Sequence, residues 1–328
     1  MVSFFKFFGK DISALTLGLM NNIGSSQESE KLKLYTKAYD LGINSFDSSP
    51  NYLNGYSDIF LGKLVKEIGR ENVFVSNKVY FANPYSDFSN TLKSSHIIST
   101  LEGSLKNINT DYLDCLILHR FDYSTPIIES LEAIKYLLSQ GMIRSWGVSA
   151  FSVEQLMDYI FISNQIGIPP PIIGQYAYNF FNRSIEKELN SVALNKKINL
   201  FTYYPLAQGV LTGKYSGKTY KSRANDLEFR NTMWDLTDDK IKKAKLLYDF
   251  CEKENLDVVS VSYLWCLRNS NVVSLITNVR DLKQLYQNIK FAKSSLDIEI
   301  CANLDRIFNN CPINQYTNIK YEITERKL

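Results

Sequence analysis

Two histidines, His96 and His119, are all the imidazole the chain has in 328 residues, and its five cysteines (Cys115, Cys251, Cys266, Cys301 and Cys311) include no C-x-x-C pair. Neither type is spaced for zinc, and no H-E-x-x-H occurs, so a metalloprotein reading is excluded and no metal site is expected. Scattered, odd-numbered cysteines suit a reducing compartment. Charge of one sign is also missing: the formal net charge is +3, with Lys and Arg interspersed among Asp and Glu. No electrostatic footprint for nucleic acid follows from that. No stretch approaches the ~20 apolar residues that span a bilayer. The N-terminal Phe4-Phe5-Lys6-Phe7-Phe8 run is too short for a signal sequence and is broken by Lys6, Lys10 and Asp11. It reads as a short hairpin ending at Gly9-Lys10, and the chain as a cytoplasmic protein without membrane partners.

Motif absences narrow the chemistry further. No G-x-G-x-x-G follows an apolar run, so a Rossmann dinucleotide site is not indicated. The segment from Gly209 to Tyr215 approaches a P-loop, but only three residues separate Gly209 from Gly213, and Tyr215 stands where magnesium needs Ser or Thr. Gly147-Val148-Ser149-Ala150-Phe151 lacks the final glycine of a nucleophile elbow.

What the chain does have is a 45% apolar composition laid out as alternating short apolar runs and amphipathic stretches. Strands are expected at Ala14–Met20, Ile43–Asp47, Val73–Lys78, Tyr112–His119, Ile143–Val148, Ile172–Gln175, Leu200–Tyr204 and Val272–Ile276. Helices are expected between them, among them Glu30–Leu41, Ser57–Ile68, Ile97–Lys106, Ile127–Gln140, Val153–Gln165 and Glu186–Asn195, with Gly42, Gly69, Gly141 and Gly167 marking helix ends. Eight strand-helix units point to an α/β fold closed as a (β/α)8 TIM barrel. No linker divides the chain, so residues 1–328 are taken as one domain. The repeat is interrupted between Gly209 and Asp239 by an irregular stretch, which at that length is functional or disordered. Beyond Cys311 the chain is polar and reads as a surface tail.

Four polar residues stand at successive strand ends: Asp47, then Tyr52 five residues on, Lys78, and His119. In a (β/α) barrel such ends converge on one mouth. A carbonyl accepting hydride develops alkoxide charge and needs a proton donor within hydrogen-bond reach. A free phenol, with a pKa of about 10, donates poorly at neutral pH. A neighbouring ammonium lowers that pKa, and a carboxylate holds the ammonium in place. Tyr52 is thus the expected acid, Lys78 its tuner, Asp47 the anchor of Lys78, and His119 the group that orients the carbonyl. Taken singly, each has an ordinary structural reading; their joint occurrence carries the assignment.

With these residues in view, the chain resembles the aldo-keto reductase family over nearly its full length. The resemblance rests on Gly42 to Asp47, Asp111 to Asp114, Leu118-His119-Arg120, Gly141 to Arg144, Gly147-Val148-Ser149, Tyr203 to Gly209, and Gln284 to Asn288. Asp122 to Pro126, Pro169 to Ile172, Gly213-Lys214-Tyr215, Ser222-Arg223-Ala224 and Trp265 to Asn269 make it most similar to the group containing the potassium-channel β subunits and their bacterial relatives. The resemblance implies NADP(H), lying extended across the mouth. Ser149 and Gln175 would hold its carboxamide and Tyr203 would stack on its ring. Leu206, Gln208 and Lys214 would approach the pyrophosphate, Arg223 and Arg280 the adenosine phosphate, and Gln284 and Asn288 the adenosine. The irregular stretch becomes a long loop over the cofactor. Four positions depart from the family pattern: Ala150 stands where Asn or Arg is usual, Tyr204 replaces a Ser, Asn278 replaces a Gly or Lys, and Gln287 replaces a Glu.

Two functions are compatible with this. One is an NADPH-dependent reductase of an aldehyde or ketone, a sugar-derived carbonyl included. The other is a cofactor-binding regulatory protein of the channel β-subunit kind. Channel subunits of the group often carry Asn at the fourth catalytic position and many have a long N-terminal extension. Here His119 is present and the chain starts close to the barrel, which favours the enzyme acting on a small-molecule carbonyl substrate. A homo-oligomer is left open. Substrate choice would lie with the segments 80–93 and 121–124 and with the tail, which are rich in aromatics, Tyr80, Phe81, Tyr85, Phe88, Phe121, Tyr123 and Tyr316 among them.

Overall fold

Short apolar runs flanked by helices are buried on both faces, and parallel pairing is the arrangement that satisfies their backbone groups there. In the computed structural model, which describes residues 4–7, 9–20, 28–215 and 237–308, eight such strands close into a parallel barrel. They are β3 (Leu15–Gly18), β4 (Ser45–Asp47), β5 (Phe74–Val79), β6 (Cys115–Leu118), β7 (Trp146–Ser149), β8 (Ile173–Ala177), β9 (Asn199–Tyr203) and β10 (Val272–Thr277). They are ordered by sequence, and β10 pairs with both β9 and β3 to complete the ring. All eight expected strands are present, some trimmed and others, such as β8 and β10, running past the expected end. The run from Tyr112 shortens to Cys115–Leu118 because Tyr112 leaves the sheet, its ring held between the guanidinium groups of Arg70 and Arg144, each 3.9 Å from its centroid.

The helices α1 (Glu28–Asp40), α2 (Tyr56–Ile68), α3 (Ser94–Ile108), α4 (Ile127–Ser139), α5 (Val153–Gln165), α6 (Glu188–Lys196), α7 (Asp238–Lys253), α8 (Val258–Leu267), α9 (Leu282–Asn288) and α10 (Ile298–Ile307) pack outside. Gly42, Gly69, Gly141 and Gly167 take positive φ at helix ends, as their positions predict. The stretch expected as one helix from Glu186 breaks at Lys187, after a 3₁₀ turn over Ser184–Glu186.

The N-terminal hairpin is longer than the sequence suggests. Gly9 is its turn rather than its end, and β1 (Phe4–Phe7) pairs antiparallel with β2 (Lys10–Ser13). Phe7 and Ile12 join Phe74, Cys115, Ile117, Ile173 and Phe201 in a separate apolar cluster. Phe7 meets Phe74 edge-on at 5.1 Å, and Phe74 opens β5, so the hairpin plugs the N-terminal end of the barrel. The opposite end, where the strands terminate, is left for chemistry. Most of the irregular 209–239 stretch, and the whole tail from Cys311, lie outside the described residues. Among the described residues no helix is long and apolar enough to cross a membrane, and no cluster of His, Cys, Asp and Glu could hold a metal ion.

Gly147 shows how tightly the barrel interior is filled. It pairs with Ile117 on one side and Ile173 on the other, and an added Cβ would lie 2.4 Å from the Ile173 carbonyl oxygen. In an open strand, Gly to Ala stabilises slightly. Here the sign reverses: Gly147→Ala should lose about 1–3 kcal/mol to overpacking, read by urea denaturation. An unchanged midpoint would mean that the interior is looser than this packing requires.

Candidate active site

Strand alternation sends Asp47, Ser76, Lys78 and Gln175 into the barrel, while Phe46, Val75 and Asn77 face outward. Asp47 pairs with Ser76 across β4 and β5. Its Oδ1 accepts from Ser76 Oγ at 2.7 Å and from Gln175 Nε2 at 2.8 Å. Its Oδ2 takes the Lys78 ammonium in a direct ion pair, and Lys78 Nζ also donates to the Ser48 carbonyl at 2.8 Å. Both ions are buried, with 3% of each residue exposed, so water cannot carry their charge. Burial alone would lower the pKa of Lys78, but Asp47 and Tyr52 outweigh it and hold the ammonium above its usual range.

Tyr52 stands over this pair. The Lys78 nitrogen lies 5.0 Å from the centre of its ring, and the ring meets His119 at 6.2 Å, nearly edge-on. What aims Tyr52 is an unusual backbone. Leu53, Asn54 and Gly55 follow at φ +50°, +52° and +85°, left-handed values that disfavour L side chains. Ser57 Oγ restrains the turn by donating to the Ser49 and Tyr52 carbonyls at 3.0 Å each, and Tyr85 Oη donates to the Gly55 carbonyl at 3.2 Å. Glycine suits position 55, where φ is +85° and a Cβ would lie 2.7 Å from Tyr85 Oη and 2.8 Å from Pro84 Cγ.

One expectation is corrected. The Lys78 charge does pull the Tyr52 pKa down, but burial pushes it up by more, and the phenol is raised above its ordinary value. Tyr52 therefore stays protonated, and the Lys78 ammonium beside it lowers the cost of a phenolate without outweighing burial. His119 is shifted the other way. Burial, followed by Lys78 and Arg120, holds it well below the usual imidazole value, so it is neutral. Its Nδ1 has no hydrogen-bond partner among the described residues although the side chain is buried.

The expected cofactor residues are distributed around the mouth. Ser149 and Gln175 sit side by side on β7 and β8. Because a carboxylate only accepts, the Gln175 amide must turn its N–H to Asp47, which ties it to the floor of the site rather than leaving it free. Tyr203 ends β9, half-buried. Leu206, Gln208 and Lys214 follow it around a 3₁₀ turn over Ala207–Thr212, in which Ala207, Gln208 and Gly209 take φ of +46°, +55° and +91°. An added Cβ on Gly209 would meet Lys214 Nζ at 2.5 Å, and Gln208 Oε1 is buried without a partner among the described residues. Arg280, Gln284 and Asn288 cluster at α9, where Gln284 Oε1 accepts from the Arg280 backbone at 2.8 Å. Arg280 is exposed and paired with Asp281 at 3.2 Å. Arg223 lies outside the described residues.

Three groups near the site escape the sequence reading. Asp58 is fully buried behind β5, accepting from Ser48 Oγ at 2.9 Å, Asn77 Nδ2 at 3.0 Å and Ser104 Oγ at 2.8 Å. Lys31, 5% exposed, donates to the Arg280 carbonyl at 2.7 Å. A signal for both existed, since each interrupts the apolar face of its helix. Arg120, the third, enters the sequence only within the Leu118-His119-Arg120 segment, which attaches no role to it.

A family model described as "Aldo/keto reductase family" matches residues 14–309. Two proteins named "Probable voltage-gated potassium channel subunit beta", from Arabidopsis thaliana and Oryza sativa subsp. japonica, are each 30% identical to this chain over 297 residues, 86% of this chain and 88% of the relative.

Asp58 yields a test that needs no substrate. Burial raises its pKa to about 6, against the hydrogen bonds from Ser104, Ser48 and Asn77. A carboxyl whose folded pKa is raised contributes most stability below its unfolded value of about 3.9, and loses it as pH rises through the folded value. Between pH 4 and 7 the stability of the wild type relative to Asp58→Asn should fall by about 2–3 kcal/mol, measured by denaturant unfolding at each pH. A difference that stays constant with pH would mean that Asp58 does not titrate in this range.

Proposed function

The chain belongs to the aldo/keto reductase family of oxidoreductases, and from that premise we propose that it reduces an aldehyde or ketone to the alcohol, NADPH supplying the hydride and Tyr52 the proton. One observation carries the reading. A neutral phenol and a neutral imidazole stand together over a buried Asp47–Lys78 ion pair. Neutral His119 offers an N–H to the carbonyl oxygen and sets its direction toward Tyr52. As charge develops on that oxygen, the Tyr52 hydroxyl gives up its proton. The phenolate left behind faces the Lys78 ammonium, which lowers the cost of the transfer. Asp47, held by Ser76 and Gln175, keeps that ammonium charged and in place.

The residues fit an extended dinucleotide. The succession of left-handed residues at Ala207 to Gly209, with Lys214 against them, suits a pyrophosphate. Ser149 and the remaining acceptor of Gln175 suit the carboxamide, and Tyr203 suits the ring. At the far end, Arg280 with Gln284 and Asn288, together with Arg223, would take the adenosine and its phosphate.

A second reading follows from the relatives' names: a cofactor-binding regulatory subunit. The complete set of four catalytic groups, His119 included, favours turnover. Tyr52→Phe should lower kcat by about two to four orders of magnitude, with NADPH binding retained in a fluorescence titration. Lys78→Met should in addition cost about 3–5 kcal/mol of stability, because it leaves Asp47 buried and unpaired. Near wild-type turnover by Tyr52→Phe would remove Tyr52 as the acid, and cofactor binding with no turnover of any carbonyl would favour the regulatory role.

Cofactor choice is a separate expectation. NADPH should bind more tightly than NADH, since guanidinium groups suit a phosphate. Titration of both cofactors against the wild type, Arg223→Ala and Arg280→Ala decides it. Equal affinities, unchanged by either substitution, would show that neither arginine reads the phosphate and would put NAD on an equal footing.

A further inference from the structure

Resting on the reductase reading, we propose that Arg120 forms a subsite at the mouth for an anionic oxygen group carried by the carbonyl substrate. Arg120 directly follows His119, and its Nη1 donates to the His119 carbonyl at 2.6 Å, which fixes the guanidinium beside the site. Its Cζ lies 5.7 Å from the Phe81 ring centre, and Phe81 in turn meets the His119 ring edge-on at 4.8 Å. Guanidinium, phenyl and imidazole thus make one wall facing Tyr52. The charge of Arg120 is felt at Tyr52, His119 and Tyr203 alike, which surround the reacting position.

The other half-buried arginines among the described residues all have carboxylates. Arg70 pairs with Asp114 at 2.8 Å, Arg183 with Glu186 and Asp305 at 2.6 and 2.9 Å, and Arg268 with Asp305 at 3.1 Å. Arg120, equally half-buried, has no carboxylate in ion-pair range among the described residues. The nearest in sequence, Asp122, is committed to Thr91, Thr125, Ser124 and the Leu92 amide. Removing a guanidinium from water without a counter-ion is unfavourable, and a planar fork of N–H donors binds carboxylate or phosphate bidentately. Lys78, the other cation of the site, is already matched by Asp47. Among the described residues the mouth therefore carries one positive charge in excess, beside His119 and Phe81.

The test is the ratio of kcat/KM within two matched pairs: 4-carboxybenzaldehyde against benzaldehyde, and glyceraldehyde 3-phosphate against glyceraldehyde. The wild type should prefer the anionic member of at least one pair by about tenfold or more, mainly through KM, the size of a charged hydrogen bond. The pair that responds identifies carboxylate or phosphate as the group. Arg120→Met should collapse that ratio, whatever it does to the neutral aldehyde, and Arg120→Lys should restore part of it. A ratio near one in the wild type, or equal losses on both members in Arg120→Met, would overturn the subsite and leave Arg120 a support for His119. If the wild type reduces none of the four, the reductase reading falls. Calorimetric titration with benzoate and with inorganic phosphate then decides the subsite by itself: binding of either that is lost in Arg120→Met upholds it, and binding of neither, or binding unchanged in the variant, overturns it.

Discussion

The ion pair between Asp47 and Lys78 is the interaction on which the rest of this molecule turns. Burying two charges costs several kcal/mol for each ion, and only close geometry with every remaining lone pair satisfied offsets that. The partners of Asp47 come from the neighbouring strand and from across the ring: Ser76 and Lys78 from β5, Gln175 from β8. Since β4 and β8 stand four strands apart in a ring of eight, the Gln175–Asp47 bond of 2.8 Å bridges the barrel from side to side. Closure of the sheet and viability of the site are therefore one requirement. The apolar plug of Phe7, Ile12 and Phe74 below it completes the exclusion of water from that end.

That exclusion sets the protonation states above it. Burial favours neutral forms, so Tyr52 keeps its proton, His119 sheds its charge, and Asp58 behind the wall is pushed toward the neutral acid. Lys78 escapes because its counter-ion is in contact. In the proposed reduction the Tyr52 proton would leave a phenol that burial favours as neutral, and the one fixed cation, Lys78, would stabilise the phenolate left behind. Little reorganisation is needed, because each group is already held by neighbours that do not themselves move a proton.

Backbone strain gathers at the same rim. Leu53 follows Tyr52, Ala150 follows Ser149, and Tyr204 follows Tyr203, each at positive φ near +50° to +60°. A left-handed residue disfavours an L side chain by about 1–2 kcal/mol, and turns of this kind are where a strand end can be made to project a side chain rather than continue the sheet. Two of these residues, Ala150 and Tyr204, occupy positions where the resemblance leads one to expect Asn or Arg, and Ser. Asn tolerates this conformation better than Ala does, so Ala150 loses both a polar contact and a conformational preference.

Local pattern was enough to read the eight strands, most of the helices and the glycine-marked ends, because side-chain period and φ preference are properties of neighbouring residues. It was also enough to name Asp47, Tyr52, Lys78 and His119, since polar groups at the ends of apolar strands are conspicuous and a barrel brings such ends to one mouth. The length of the hairpin and the break at Lys187 were less legible, because pairing partners decide them. What only the tertiary structure decided is the electrostatics: that Gln175 is committed to Asp47 across 128 positions, that Asp58 and Lys31 are buried beside the site, that Arg120 has no carboxylate among the described residues while Arg70, Arg183 and Arg268 have theirs, and that burial rather than Lys78 sets the state of Tyr52. Desolvation depends on every atom that displaces water from a group. Those atoms come from all round the barrel, so no stretch of sequence contains the balance.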